Sequence, residues 1–157
     1  MTSNFVTNEE IVQEARRRLS QGPWDYLVGA SESETTMRRN RLAFDTVAFR
    51  PRVFVDVSSV DTSTSVLGIP MRIPVILAPI GSLQVFHPEG GLGVTSAASR
   101  FETLHVVSSV TQPSLEDIAG ATDYPKVFQL YIHGDWEWTK AMLDRIKASG
   151  YKAICIT

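Results

Sequence analysis

The chain has 157 residues, with 15 Lys and Arg against 17 Asp and Glu, 43% hydrophobic and 20% charged residues, the make-up of an ordinary globular chain of about one domain. A net charge of −2 removes the electrostatic reason to expect nucleic acid or an anionic membrane as a partner. Cys155 stands alone and His87, His105 and His133 lack metal-ligand spacing, which excludes disulfide scaffolds and zinc modules; with no leader-like start and no apolar run near the roughly 18 residues of a membrane helix, a cytoplasmic protein without a metal or membrane partner is expected.

Thr7 followed by Glu10 forms a capping box, and Ile11, Val12, Ala15 and Leu19 share one face of the helix it opens. Gly22-Pro23 is expected to stop that helix. A short aromatic helix follows over 24–28, then a polar stretch over 31–36 and a helix over roughly 37–46. Residues 52–56, 62–67 and 71–73, with Gly68-Ile69-Pro70 between the last two, look like short strands and a hairpin. The segment 1–74 therefore reads as a prelude of helices and short strands rather than a separate domain.

From residue 75 the rhythm changes. Apolar strands are predicted at 75–79, 104–109, 126–132 and 152–157, separated by helices at 90–101, 115–119 and 136–149. Continuous apolar runs such as VILAP and AICI imply burial on both faces, hence a parallel sheet covered by helices. Ser114 with Asp117 caps one helix start, Asp135 caps another, and Gly150 closes the last. The strand starts lie 22 to 29 residues apart, the repeat of a βα unit in a closed barrel. A complete barrel needs eight units and about 250 residues, so residues 75–157 are expected to supply about the first half. The apolar strand starting at Lys152 would be left as a sheet edge, an aggregation hazard, which suggests part of a larger protein.

In parallel α/β folds the ligand lies at the carboxyl ends of the strands. There the sequence places Ala78-Pro79-Ile80-Gly81, Ser108-Ser109, Gln129 with Tyr131, and Thr157. Any one of these is more simply a strand ending. Their recurrence at four successive strands points to a mouth suited to a flat heteroaromatic ligand with hydrogen-bonding edges.

Several ungapped blocks carry a resemblance: WDYLVGA (24–30), NRLAFDTVAFRPRVFVDVSSVDTSTSVLG (40–68), VILAPIG (75–81), HPEGGLG (87–93), SSVTQPSLEDIA (108–119) and FQLYI (128–132). From Trp24 to Thr157 the chain resembles the first half of the FMN-dependent 2-hydroxy acid oxidases and dehydrogenases, the family of glycolate, lactate and mandelate oxidases. The resemblance implies a (β/α)8 TIM barrel, FMN as cofactor, and oxidation of a small L-2-hydroxy acid to the 2-keto acid by hydride transfer to flavin N5, with O2 or another acceptor reoxidising the flavin. It puts the backbone of Ala78, Pro79, Ile80 and Gly81 along the flavin ring and Ser108, Gln129 and Thr157 on the ring's polar edge. Tyr26 matches the tyrosine that donates to the substrate carboxylate, and Tyr131 the one near the substrate hydroxyl and flavin.

The family's histidine base, its arginine and its lysine have no matching positions among the 157 residues, and Arg50, Arg52, His87, His105 and His133 do not fill those roles. The resemblance therefore implies a C-terminal half-barrel segment or polypeptide as partner, an inactive chain without it, and a homo-oligomer, commonly a tetramer. A non-catalytic half-barrel that serves in assembly is the alternative. Ala30 and Ile80 stand where relatives often carry other residues, which leaves the substrate open. His87 is expected to be a loop or cap residue, Cys155 a buried small hydrophobe, and Trp136 and Trp138 packing or interface residues at a helix start.

Overall fold

The computed structural model describes residues 5–157. The chain divides into two compact units, Met1–Ser59 and Val60–Thr157. In the first, α1 (Asn8–Arg18) starts from the expected capping box: Thr7 accepts from the Glu10 amide, and the Glu10 carboxylate accepts from the Thr7 amide. Helix α2 (Gln21–Val28) begins earlier than expected, because Gly22-Pro23 sits inside its first turn rather than ending α1. A proline costs nothing there, since first-turn amides have no partner within the helix. Helix α3 spans Thr35–Asp45. Residues 52–56 are irregular rather than a strand. Val53, Val55 and Val57 are all exposed, and no described strand lies beside them to pair with.

The second unit opens with a hairpin, β1 (Thr64–Val66) and β2 (Ile69–Met71), paired Val66 to Ile69. Its two-residue turn puts Leu67 at φ 53° and Gly68 at φ 75°, the left-handed pair that a tight hairpin requires. Strand β3 is only Ile76–Leu77, shorter than expected because Pro74 and Pro79 bracket it and neither has an amide to give a neighbour. Then come a 3-10 turn (Leu83–Val85), α4 (Gly90–Arg100), β4 (Leu104–Ser108), α5 (Leu115–Gly120), β5 (Lys126–Leu130), α6 (Trp136–Ala148) and β6 (Ala153–Ile156). The predicted caps operate: Ser114 accepts from the Asp117 amide and Asp135 from the Trp138 amide, and Gly150 leaves α6 at φ 81°.

The four strands β3–β4–β5–β6 are parallel and adjacent in chain order, each joined to the next through a helix. That is the order of consecutive barrel units. Alternation along the strands sorts the two faces. Val107, Phe128 and Leu130 pack with Leu115 and Ile118 of α5 and Ile146 of α6. Leu104 and Val127 turn the other way and pack with Ile69 and Met71 of the hairpin, joined by Val106 and Ala153. Cys155, expected to be buried, is exposed, because it lies in the outermost strand, where Ile154 and Ile156 are exposed as well.

His105, on the helix-facing side of β4, is 1% exposed. Its Nδ1 lies 2.9 Å from Thr95 Oγ1 of α4, and its Nε2 has no partner. Burial, helped by the charge of neighbouring Lys126, pushes its pKa from the usual 6.5 down to about 4. The unfolded chain therefore takes up the proton first, and stability falls as pH drops from about 6.5 toward about 4, by up to ~1.4 kcal/mol per pH unit. Urea unfolding at pH 7 and at pH 4.5 should show a smaller loss on acidification in His105→Asn than in the parent; equal losses would remove His105 as the source.

Candidate functional site

Ser108 ends β4, and its register partner is Gln129 of β5. Both lie two residues beyond hairpin-facing positions, Val106 and Val127, and so continue the face opposite the helices. Ser108 Oγ donates to Gln129 Oε1 at 3.0 Å, and Gln129 Nε2 donates to Thr157 Oγ1 at 2.6 Å. Three strand ends thus share one hydrogen-bonded row. It runs from buried to open: Ser108 is 4% and Gln129 2% exposed, whereas Thr157 is exposed. A hydroxyl that accepts from an amide directs its own proton elsewhere. The row therefore presents Thr157 Oγ1 as an oriented donor, and the carboxamide keeps one unused amide proton and one unused lone pair.

Beside this row, Ala78 and Ile80 are exposed and Pro79 and Gly81 half-buried. A Cβ at Gly81 would stand 2.8 Å from Val110 Cγ2. The Ser82 amide donates to Val110 O at 3.0 Å. The loop after β3 is therefore held against the loop after β4, which only a glycine at 81 allows without a shift. The second loop is pinned in turn where the Gly91 amide donates to Gln112 O at 2.7 Å.

Tyr131 follows β5 directly. Its amide donates to Ser109 Oγ at 3.2 Å, and the residue is 42% exposed. The structure so brings Ala78, Pro79, Ile80, Gly81, Ser108, Gln129, Tyr131 and Thr157 to the carboxyl ends of β3–β6. Tyr26 belongs to α2 in the first unit, where it is 63% exposed. Ser109 and Val110 belong to the site as well: one receives the Tyr131 amide, the other backs Gly81. The Ser-Ser pair at a strand end was the visible signal for Ser109; Val110 had none, since its role depends on how two loops meet. His87 is a loop residue, its Nδ1 accepting from the Glu89 amide.

The donor set matches the pyrimidine-like edge of a flavin, which alternates carbonyl and N–H groups. Hydroxyl, carboxamide and hydroxyl in one row offer both donors and acceptors to such an edge.

Comparison with known proteins gives the row a context. Residues 15–157 match the family described as FMN-dependent dehydrogenase. The chain is 40% identical to an L-lactate oxidase of Nostoc sp. over 152 residues, covering 94% of this chain and 42% of that protein. It is 35% identical to a peroxisomal (S)-2-hydroxy-acid oxidase of Oryza sativa over 158 residues, covering 43% of that protein. Among solved structures, mandelate oxidase superposes with a TM-score of 0.91 at 30% identity, over 97% of this chain and 44% of that one. The chain thus spans less than half the length of these relatives.

The row itself is testable by mutation. Gln129→Leu takes away the acceptor of the buried Ser108 hydroxyl proton and should destabilise the protein by about 1–3 kcal/mol. Adding Ser108→Ala should cost less than it does alone, with a coupling near 1 kcal/mol in denaturant unfolding. Additive losses would mean that the two side chains do not support each other.

Proposed function

This chain belongs to the FMN-dependent dehydrogenase family, and from that premise we propose that it supplies the flavin-edge and substrate-facing side of an enzyme that oxidises a small L-2-hydroxy acid to the 2-keto acid. The observation that carries the reading is the Ser108–Gln129–Thr157 row at the strand ends, set beside the small-residue turn of 78–81. FMN, when bound, supplies the two-electron acceptor. In this reading Thr157 and Gln129 hold the polar edge of the ring, Ser108 fixes the carboxamide, and the backbone of Ala78, Pro79, Ile80 and Gly81 lies along the ring. Packing among these loops excludes water from one side of the cofactor.

By the family resemblance, two tyrosines have substrate roles. Tyr131 is the catalytic one, its phenol orienting the hydroxyl that loses its proton; Tyr26 donates to the carboxylate. Residues 1–74 serve as the prelude and 75–157 as the first half of the barrel. The proton acceptor, the cation that holds the carboxylate and the groups that hold the phosphate come from the C-terminal half of the barrel. Without that half the chain is inactive, and the whole protein works as a homo-oligomer. Acidic substrates are compatible with the Tyr131 phenol and the Thr157 hydroxyl at this mouth, which donate to a carboxylate without a net charge of their own.

Removal of oxygen followed by addition of glycolate, L-lactate or L-mandelate to the whole flavoprotein tests the reading. At least one should bleach the oxidised-flavin absorption band; an unchanged spectrum with all three would contradict it. Thr157→Val should weaken FMN binding about tenfold, the value of one hydrogen bond. Tyr131→Phe should lower kcat while FMN stays bound.

A further inference from the structure

We propose that His133 and Trp138 are positioning residues for Tyr131, an aromatic brace that ties an otherwise loosely held phenol to the protein core. The inference rests on the reading of Tyr131 given above and extends it to two residues that the flavin row does not include. Tyr131 stands one residue past the last residue of β5, where the sheet ladder no longer fixes it. Among the described residues its backbone is tethered there by the 3.2 Å bond to Ser109 Oγ, which sets the main chain but not the ring.

The ring has a second support. His133 meets it edge to face, with centroids 6.5 Å apart at 69°. His133 in turn meets Trp138 at 5.9 Å and 85°. Both separations lie in the range at which perpendicular aromatic pairs attract. Trp138 is the fixed end: it is half-buried and packs against the cluster of Val107, Phe128, Leu130 and Ile146. Its amide donates to Asp135 Oδ1 at 2.9 Å in the cap of α6.

Gly134 makes the arrangement possible. At φ +93° it turns the chain back, and a Cβ built there would already touch Trp138 Cβ and Cγ at 3.5 and 3.6 Å. His133 is thereby brought over the indole. Three rings run in series from core to mouth, and each exposed ring is held by the one below it. A phenol that must meet a substrate hydroxyl within a few tenths of an ångström loses rate when its ring wanders. Supplying that constraint from α6 costs the site no space on the substrate side.

A cycle of variants in the whole FMN-loaded protein tests the brace. His133→Ala should lower kcat about tenfold with little change in KM, a loss of order expected when one orienting contact is removed. Combined with Tyr131→Phe it should add nothing further, because the phenol it positions is already gone. His133→Phe, which keeps a ring, should restore most of the rate. Urea midpoints give a reading independent of turnover: the losses in His133→Ala and Trp138→Phe should overlap rather than sum. Full kcat in His133→Ala, a multiplied loss in the double variant with Tyr131→Phe, a His133→Phe protein as slow as His133→Ala, or summed urea losses would each overturn the brace. A Tyr131→Phe protein with full kcat would overturn the reading of Tyr131 itself, and the urea cycle would then show whether the rings are coupled for stability alone.

Discussion

Parallel register is the constraint on which the rest of this structure depends. Four strands run side by side in chain order, with Ser108 opposite Gln129 and Leu130 opposite Ile156, so their carboxyl ends finish at one level. Parallel strands cannot be joined by tight turns; each needs a helical crossover. The crossovers cover one face with α5 and α6 and bury Val107, Phe128 and Leu130 against them. A shift of one residue in a strand would exchange its two faces, turning Ser108 or Gln129 toward the helices. The same apolar burial that holds the sheet therefore also aligns Ser108, Gln129 and Thr157 into a bonded row.

The row shows how a site is built from modest parts. None of its members carries a charge. Their value lies in direction: a buried serine fixes a buried carboxamide, and the carboxamide fixes an exposed hydroxyl. Buried polar groups are costly unless satisfied, and here each satisfies the next. His105 is the contrasting case in the same strand. Its Nδ1 is met by Thr95 but its Nε2 is not, and the consequence is a proton held off by burial rather than used.

Local features of the fold were legible in the sequence where one residue decides them. Thr7, Ser114 and Asp135 cap helices because their side chains reach amides three residues on, and Gly150 ends one because only glycine is at ease in a left-handed turn. Gly22-Pro23 misled because proline suits the first turn of a helix as well as the residues beyond its end. The alternating valines at 53–57 misled because alternation makes a strand only when a neighbour is present to pair. At the site, the strand-end residues were legible from their phase and from the family blocks. Val110 was not, since its role depends on where separate loops meet, and the edge-to-face contacts of His133 were not, since they depend on how the chain turns at Gly134.

Hydrogen–deuterium exchange of the whole protein, with and without FMN, tests the central claim most directly, because it locates the cofactor on the sheet without relying on turnover. The account predicts that FMN slows exchange at 78–81, 108–110, 129–131 and 157, the carboxyl ends of β3 to β6, and leaves the hairpin at 64–71 unchanged. Protection centred on the hairpin, or none at these strand ends, would contradict it.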